Sequence, residues 1–405
     1  MFDLFLKNGF VYLNSRFVKT NIGVTNGVIS YIGNGFFDAK EVVDVTNRKI
    51  LPGLIDPNVH FDATTRDNFY SGSKSAAYGG ITTVVDFLNP SRNAKELRQT
   101  FDEKLKNAEN CNVDYHFHAC LEDPNGDLEE YVFTMKKLGM NTIKLFNTNF
   151  GIQDNTVIKM LKLSKKYNFL VLISAEIGKD TILKLCKIAK QTGGNLYLNN
   201  FSNGKALEEM MNKYRKSIGK NIFIESCPRY FVFNDSVAKG KNGYLYTCSP
   251  SFGDEEDRKL LIKYYECITS IGSDHRAFNR LDKEKYHLMK DAQQGVDGIE
   301  SSFVIMYKIF GDSVINKMSK NISKMEKFFG KSAIKVGNYA DFVILNGCNQ
   351  TIGKPHGNTD YSIFENIIVN TTIESTVVRG KFVLKKRKFI EQKGQLINCQ
   401  ENIIK

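Results

Sequence analysis

The residues best suited to chemistry stand at the ends of short apolar runs. LIDPNVHF carries Asn58 and His60, NTIKLFN carries Lys144, FLVLISAE carries Ser174, NLYLNNFS carries Asn200 and ITSIGSDH carries Asp274. Imidazole, amine and carboxylate gathered at strand ends are groups that ligate metals and move protons, whereas the amides of Asn58 and Asn200 and the hydroxyl of Ser174 do both poorly. A second pair, His116 and His118 in DYHFHAC, falls at i and i+2 and so points to one side of its strand. Two adjacent imidazoles invite a metal, but hydrogen bonding inside the fold is the expected role at such depth. His275 follows Asp274 and is expected to point away from it, and His356 to fix a loop. Cys227 and Cys248 have no base beside them and are expected to be buried and inert.

These residues need a frame. Strands are predicted at 54–61, 81–87, 113–121, 141–147, 169–175, 195–201, 221–227 and 268–274, alternating with helical stretches such as NAKELRQTFDEKLKNAEN, DTILKLCKIAKQTGG and EEDRKLLIKYYECI. Eight such units in succession predict an α/β fold, a closed (β/α)8 TIM-like barrel over 51–335, in which catalytic groups occupy the C-terminal ends of the strands. Residues 1–50 alternate apolar and polar, with Asn-Gly pairs at 8–9 and 26–27 read as hairpin turns. ADFVILN and STVVRGKFVL, within 336–385, are strand-like as well. Both chain ends are therefore expected to build one small β-sandwich lobe, leaving 386–405 as a weakly held surface tail.

Bulk composition narrows the classes. The 405 residues are 42% hydrophobic, ordinary for a chain with a sizeable core. Runs such as YADFVIL and FLVLI fall far short of the roughly 20 residues that span a bilayer, and Met1 opens directly onto a strand-like segment, so a cytoplasmic protein with no membrane partner is expected. Eight scattered cysteines without a CxxC fit reduced thiols and argue against a thiolate zinc site. The net charge of +12 raises the possibility of nucleic-acid binding, but the lysines are spread over helices. Only KKRK at 385–388 forms a cluster, and it reads as a solvated hairpin edge.

The segments KILPGLIDPNVHFD, DNFYSGSKSAAYGGITTVVDF, VDYHFHACL, SAEIG, ESCPRYFVF, CSPSFGDEEDR, IGSDHRAFN, GVDGIES, VGNYADFVIL, HGNTDYSIFEN and TVVRGKFV, in that order, resemble the cyclic amidohydrolases over about residues 1–385. The resemblance is nearest to the dihydropyrimidinase and hydantoinase branch, relatives of the dihydroorotases. It implies a metal-dependent hydrolase barrel in which an Asp-x-His-x-His motif, a carboxylated lysine, two single histidines and an aspartate hold two zinc ions and a bridging hydroxide. The strand-eight aspartate shuttles the proton.

Carried over position by position, the resemblance keeps His60, Lys144 and Asp274, with Asp274 as the proton shuttle, and replaces three ligands by Asn58, Ser174 and Asn200. It therefore implies no binuclear zinc, and either no metal or one weakly bound divalent ion at His60 and Asp274. Lys144 then becomes a plain ammonium paired with Asp274. Ser249 and Asn279 match substrate-binding positions, and Asn149 stands where the branch has a ring-orienting tyrosine. The implied function is a non-catalytic homologue acting as an oligomeric or partner-binding protein. The alternative is an active hydrolase of cyclic amides (dihydropyrimidine, hydantoin or related ureide rings) with a rebuilt mononuclear site, and a basic nucleic-acid-binding module is a lesser one. A homo-oligomer, dimer or tetramer, or a partnership with an active relative is expected, and the short C-terminal tail argues against the tetramer.

Overall fold

The computed structural model describes residues 1–61, 64–145, 155–285 and 293–399, which leaves Asn149 outside the described residues. The N-terminal segment forms β1 (Phe2–Leu13), β2 (Arg16–Thr25), β3 (Val28–Gly33), β4 (Ala39–Asp44) and β5 (Lys49–Pro52). The barrel follows as β6 (Leu54–Val59), β7 (Ile81–Phe87), β8 (Asp114–Leu121), β9 (Thr142–Leu145), β10 (Leu170–Ser174), β11 (Leu196–Asn199), β12 (Ile222–Ser226) and β13 (Ser270–Ile271). These eight pair in chain order, all in parallel. Their runs are apolar nearly throughout because helices cover one face and the barrel interior the other. ITTVVDF of β7 is buried at every position.

The barrel closes between β6 and β13, but not by a regular ladder. Strand eight is expected over 268–274, yet it leaves the ladder after Ile271. Beyond that point the Ser273 amide donates to Asp56 Oδ1 at 3.0 Å, Asp274 takes φ +49, and the His60 amide donates to the His275 carbonyl at 2.9 Å. A buried aspartate thus replaces ladder bonds at the seam.

The C-terminal part adds β14 (Phe342–Asn346), the short ribbon β15 (Gln350–Thr351) and β16 (Ile368–Val369), then β17 (Thr372–Val378), β18 (Lys381–Lys385) and β19 (Lys388–Phe389). Both chain ends join in one nine-stranded sheet, order β19-β18-β17-β14-β5-β1-β2-β3 with β4 on β1, around its own core of Leu4, Leu6, Val11, Ile22, Ile50, Phe342 and Ile344. The KKRK segment is the β18–β19 turn, with Lys386 and Arg387 at φ +47 and +65.

Two local expectations need correction. Asn26-Gly27 is the β2–β3 turn, with φ +51 and +75. Asn8-Gly9 is not a turn. It is a bulge inside β1, where the register with β2 shifts between Leu6 and Gly9, and the hairpin is turned by Asn14 and Ser15 at φ +48 and +64. Gly9 packs closely there, since a Cβ would lie 2.6 Å from Ile50 Cδ1 and would force that side chain to shift.

The supposed surface tail, as far as Cys399, is also not loose. The amides of Gly394, Ile397 and Cys399 donate to the carbonyls of Cys111 (2.7 Å), Tyr115 (2.8 Å) and Gly139 (2.9 Å), and Ile397 is buried. The segment crosses the N-terminal end of β8, and GQLINC permits this because a Cβ at residue 394 would collide with the Val113 carbonyl.

Beside it, Lys331 Nζ is buried between Asp114 and Asp341, and Arg379 Nε donates to Asp114 Oδ2 at 2.7 Å. Glu326 projects into the same barrel end and accepts from Thr142 Oγ1 at 2.7 Å. Its Oε1 faces His118 Nδ1 at 4.0 Å. Burial pushes the Glu326 carboxyl up to about 7. Among the described residues no helix is long and apolar enough to cross a membrane.

Two outcomes follow. Truncation after Lys393 should cost about 2–5 kcal/mol through the lost backbone bonds and the uncovered Ile397 site, read as a lower denaturant midpoint. Because the folded Glu326 carboxyl titrates above its ordinary 4.5, its contribution is full below 4.5 and is lost as pH rises towards about 7. Glu326→Gln should therefore flatten the fall in melting temperature over that window.

Candidate active site at the barrel mouth

The C-terminal ends of the strands surround a cavity of about 760 Å³, lined by His60, Lys144, Ser174, Asn200, Ser249 and Asp274, with Phe87, Glu176 and Arg276. The residues that the sequence placed at separate strand ends therefore converge, except Asn58, which lies buried beneath them. His60 stacks on Phe87 (ring centroids 5.1 Å apart, 16° between planes), and its Nε2 lies 3.2 Å from Asp274 Oδ1. Lys144 Nζ stands 4.4 Å from the centroid of the same phenyl ring. One aromatic side chain thus sets the positions of both basic groups.

The expected pairing of Lys144 with Asp274 is replaced by a residue that sequence reasoning missed. Arg229 opens the short helix Arg229–Val232 after β12, and its side chain is 2% exposed. One Nη2 donates to Asp274 Oδ2 at 2.5 Å and to Tyr230 OH at 3.0 Å, while Nη1 donates to the Ser273 carbonyl at 3.1 Å. Burial pushes the Asp274 carboxyl up, but the Arg229 charge and the His60 hydrogen bond outweigh it, and the group is held well below the usual carboxylate range. Removing one member of such a buried pair typically costs about 3–5 kcal/mol. The available signal was an arginine inside the apolar run CPRYF, a context in which a charged residue needs a buried partner.

Two of the three replaced ligand positions are tied to partners. Asn58 Nδ2 donates to Asn200 Oδ1 at 2.7 Å and to Glu225 Oε1 at 2.8 Å. Glu225 in turn accepts from the Tyr197 hydroxyl. Asn200 sits at φ +56, and Ser174 ends β10 at the cavity wall. Burial pushes Glu225 up to about 8, so at neutral pH it is held mostly protonated. It is a second residue missed, although a lone glutamate in the apolar strand IFIES was visible.

A pair of zinc ions requires imidazole nitrogens at these positions, and amide and hydroxyl oxygens are a poor substitute. Among the described residues no cluster of three His, Cys, Asp or Glu side chains is arranged to hold a metal ion. The residues present do not fit a zinc pair. Asn58 Oδ1, like Arg229 Nε nearby, is buried and has no hydrogen-bond partner among the described residues.

The other candidates fall into place around the site. Ser249 reaches the cavity, where its hydroxyl donates to Glu176. Asn279 does not: it caps the helix Arg280–Glu284, and its Oδ1 accepts from the Asp360 amide at 3.1 Å. His116 Nδ1 bonds the Ile397 carbonyl at 2.8 Å and His118 Nε2 the Pro57 carbonyl at 2.9 Å, while burial pulls the two rings down to about 4 and 3. His275 points away from the cavity, with Nε2 3.0 Å from Asp67 Oδ2. His356 lies against Glu300 (2.7 Å) and stacks on Tyr78. Cys227 and Cys248 are buried thiols raised above their ordinary value by burial.

Known proteins share this arrangement of strands. A D-hydantoinase of Geobacillus stearothermophilus is 25% identical over 448 residues, covering 96% of this chain and 94% of that one. A D-hydantoinase of Ralstonia pickettii is 22% identical over 442 residues, with 96% of each covered. The solved dihydropyrimidinase of Brevibacillus agri matches with a TM-score of 0.89 at 24% identity, covering 96% of both chains, a likeness of fold. The amidohydrolase family pattern itself spans residues 50–383, from β5 through the whole barrel to β18. With the eight-stranded barrel, the lobe built from both termini and this match over most of its length, the chain belongs to the amidohydrolase family.

Proposed function

We propose that this chain is a non-catalytic relative of the hydantoinases and dihydropyrimidinases, working as a homo-oligomer or as the partner of an active relative. The observation that carries this reading is the pair of hydrogen bonds from Asn58 Nδ2 to Asn200 and to Glu225 beneath the cavity. Ring-amide hydrolysis in water at neutral pH needs a generator of nucleophile, and the metal-based version needs several nitrogen or anionic oxygen donors converging on one point. At two of those positions the side chains here are amides already engaged with each other, and at a third Ser174 offers only a neutral hydroxyl. Asp274 keeps the form of a proton acceptor, but its Oδ2 is engaged by Arg229 and its Oδ1 by His60. The cavity persists with polar walls, which supports binding of a small ligand without turnover.

One observation favours a second reading. The orphaned Asn58 Oδ1 lies two residues from His60, and with Asp274 it would offer a hard oxygen-rich set to a single divalent ion. That arrangement supports a hydrolase of cyclic amides with a rebuilt mononuclear site.

Elemental analysis of protein purified without chelator, combined with ultraviolet assays on hydantoin and dihydrouracil, separates the two. The first reading expects substoichiometric metal and no ring opening. Two zinc ions per chain, or turnover abolished by Asp274→Ala, overturns it; one divalent ion per chain together with such turnover establishes the second. Sedimentation equilibrium tests the assembly: a monomer at all concentrations, with no association with an active relative, contradicts the oligomeric and partner roles.

A further inference from the structure

We infer that Arg229 is the resident counter-cation of Asp274 beneath the barrel mouth: its guanidinium balances the strand-eight carboxylate, so that carboxylate needs no metal ion to offset its charge. Asp274 is 6% exposed, and a carboxylate at that depth needs a cation or several donors. Both of its oxygens are taken, Oδ2 by Arg229 at 2.5 Å and Oδ1 by His60 at 3.2 Å. The guanidinium is not a surface arm that swings in. It is buried, begins the helix Arg229–Val232 directly after β12, and is pinned to the Ser273 carbonyl and to Tyr230 OH. That hydroxyl is itself anchored, donating to the Pro250 carbonyl at 2.7 Å.

The pair is therefore built from two neighbouring strand ends, β12 supplying the cation and β13 the anion. Arg229 also packs its guanidinium 4.6 Å from the centroid of the Tyr230 ring, which fills the space on its other face. A divalent ion brought to Asp274 would meet a fixed positive charge on the far oxygen of the same carboxylate. The metal-free protein is then its native form, and removal of metal should leave the barrel unaffected. The inference excludes the mononuclear reading but does not depend on the absence of turnover, so chelation and melting temperature test it apart from the activity assay that tests the non-catalytic reading.

The test is a thermal double-mutant cycle on the full chain, with and without EDTA. Chelation should leave the parent melting temperature unchanged; a drop of several degrees that ZnCl2 restores overturns the inference. Arg229→Gln should lower the melting temperature by roughly 4–6 °C, from the size of a broken buried pair in a chain of 405 residues, and Arg229→Lys, which keeps the charge, should lose less. Adding Asp274→Asn to Arg229→Gln should recover most of the loss, because it removes the unpaired carboxylate. If Arg229→Gln does not fold, recovery of folding in the double variant is the supporting result. A double variant no better than Arg229→Gln, or Lys no better than Gln at residue 229, shows that Arg229 serves packing alone and overturns the assignment.

Discussion

Closing a parallel barrel requires its first and last strands to meet, and here that seam is made by side chains as much as by backbone. Asp56 Oδ1 accepts from the amides of both Asn58 and Ser273, joining β6 to the segment after β13. His60 and Asp274 are the next residues along that junction, and their contact at 3.2 Å follows from it. Burial pushes the Asp56 carboxyl up to about 6, a cost the seam bears because two amides would otherwise be unsatisfied at the same depth. Site geometry and barrel closure are thus one arrangement, and the cavity opens where the ladder ends.

The two ends of the barrel solve the burial of charge in the same way. At the N-terminal end Lys331 and Arg379 hold Asp114 and Asp341, and at the mouth Arg229 holds Asp274. Elsewhere in the interior, protonation does the work that pairing does not. Glu225 and Glu326 are pushed up by desolvation, and His116 and His118 are pulled down by it. The interior therefore combines a few tightly matched ion pairs with groups kept neutral.

Much of this was legible in the sequence because parallel strands write themselves as short apolar runs. The predicted and observed strands agree within two residues for β6 to β8 and for β10 to β12, and residues at the ends of β6, β7, β10 and β11 reach the cavity. Legibility failed where a long-range partner decides the outcome. Asn8-Gly9 satisfies the hairpin rule, yet the pairing of β1 with β2 runs on past it to Leu13 and leaves it as a bulge. Strand eight stops early because, past the Gly272 amide bonded to the Ser226 carbonyl, Asp56, more than two hundred residues away, captures the amide of Ser273. Arg229 and Glu225 both lie in the matched segment ESCPRYFVF, but their roles exist only once β6, β11, β12 and β13 are side by side. The tail was misjudged because its polar composition hid the backbone bonds it makes beneath β8.

The mixed sheet of the lobe has a consequence for how this chain reaches its native state. β5 lies between β1 and β14, so strands made first during synthesis wait for partners made near the end. Pairing across so long a loop is slow, because closure entropy must be met before the contacts reward it. Until β14 and β17 emerge, the apolar strip along Ile50 and Leu51 has nothing to cover it on that edge, and it is there that a nascent chain would need a chaperone's protection from aggregation.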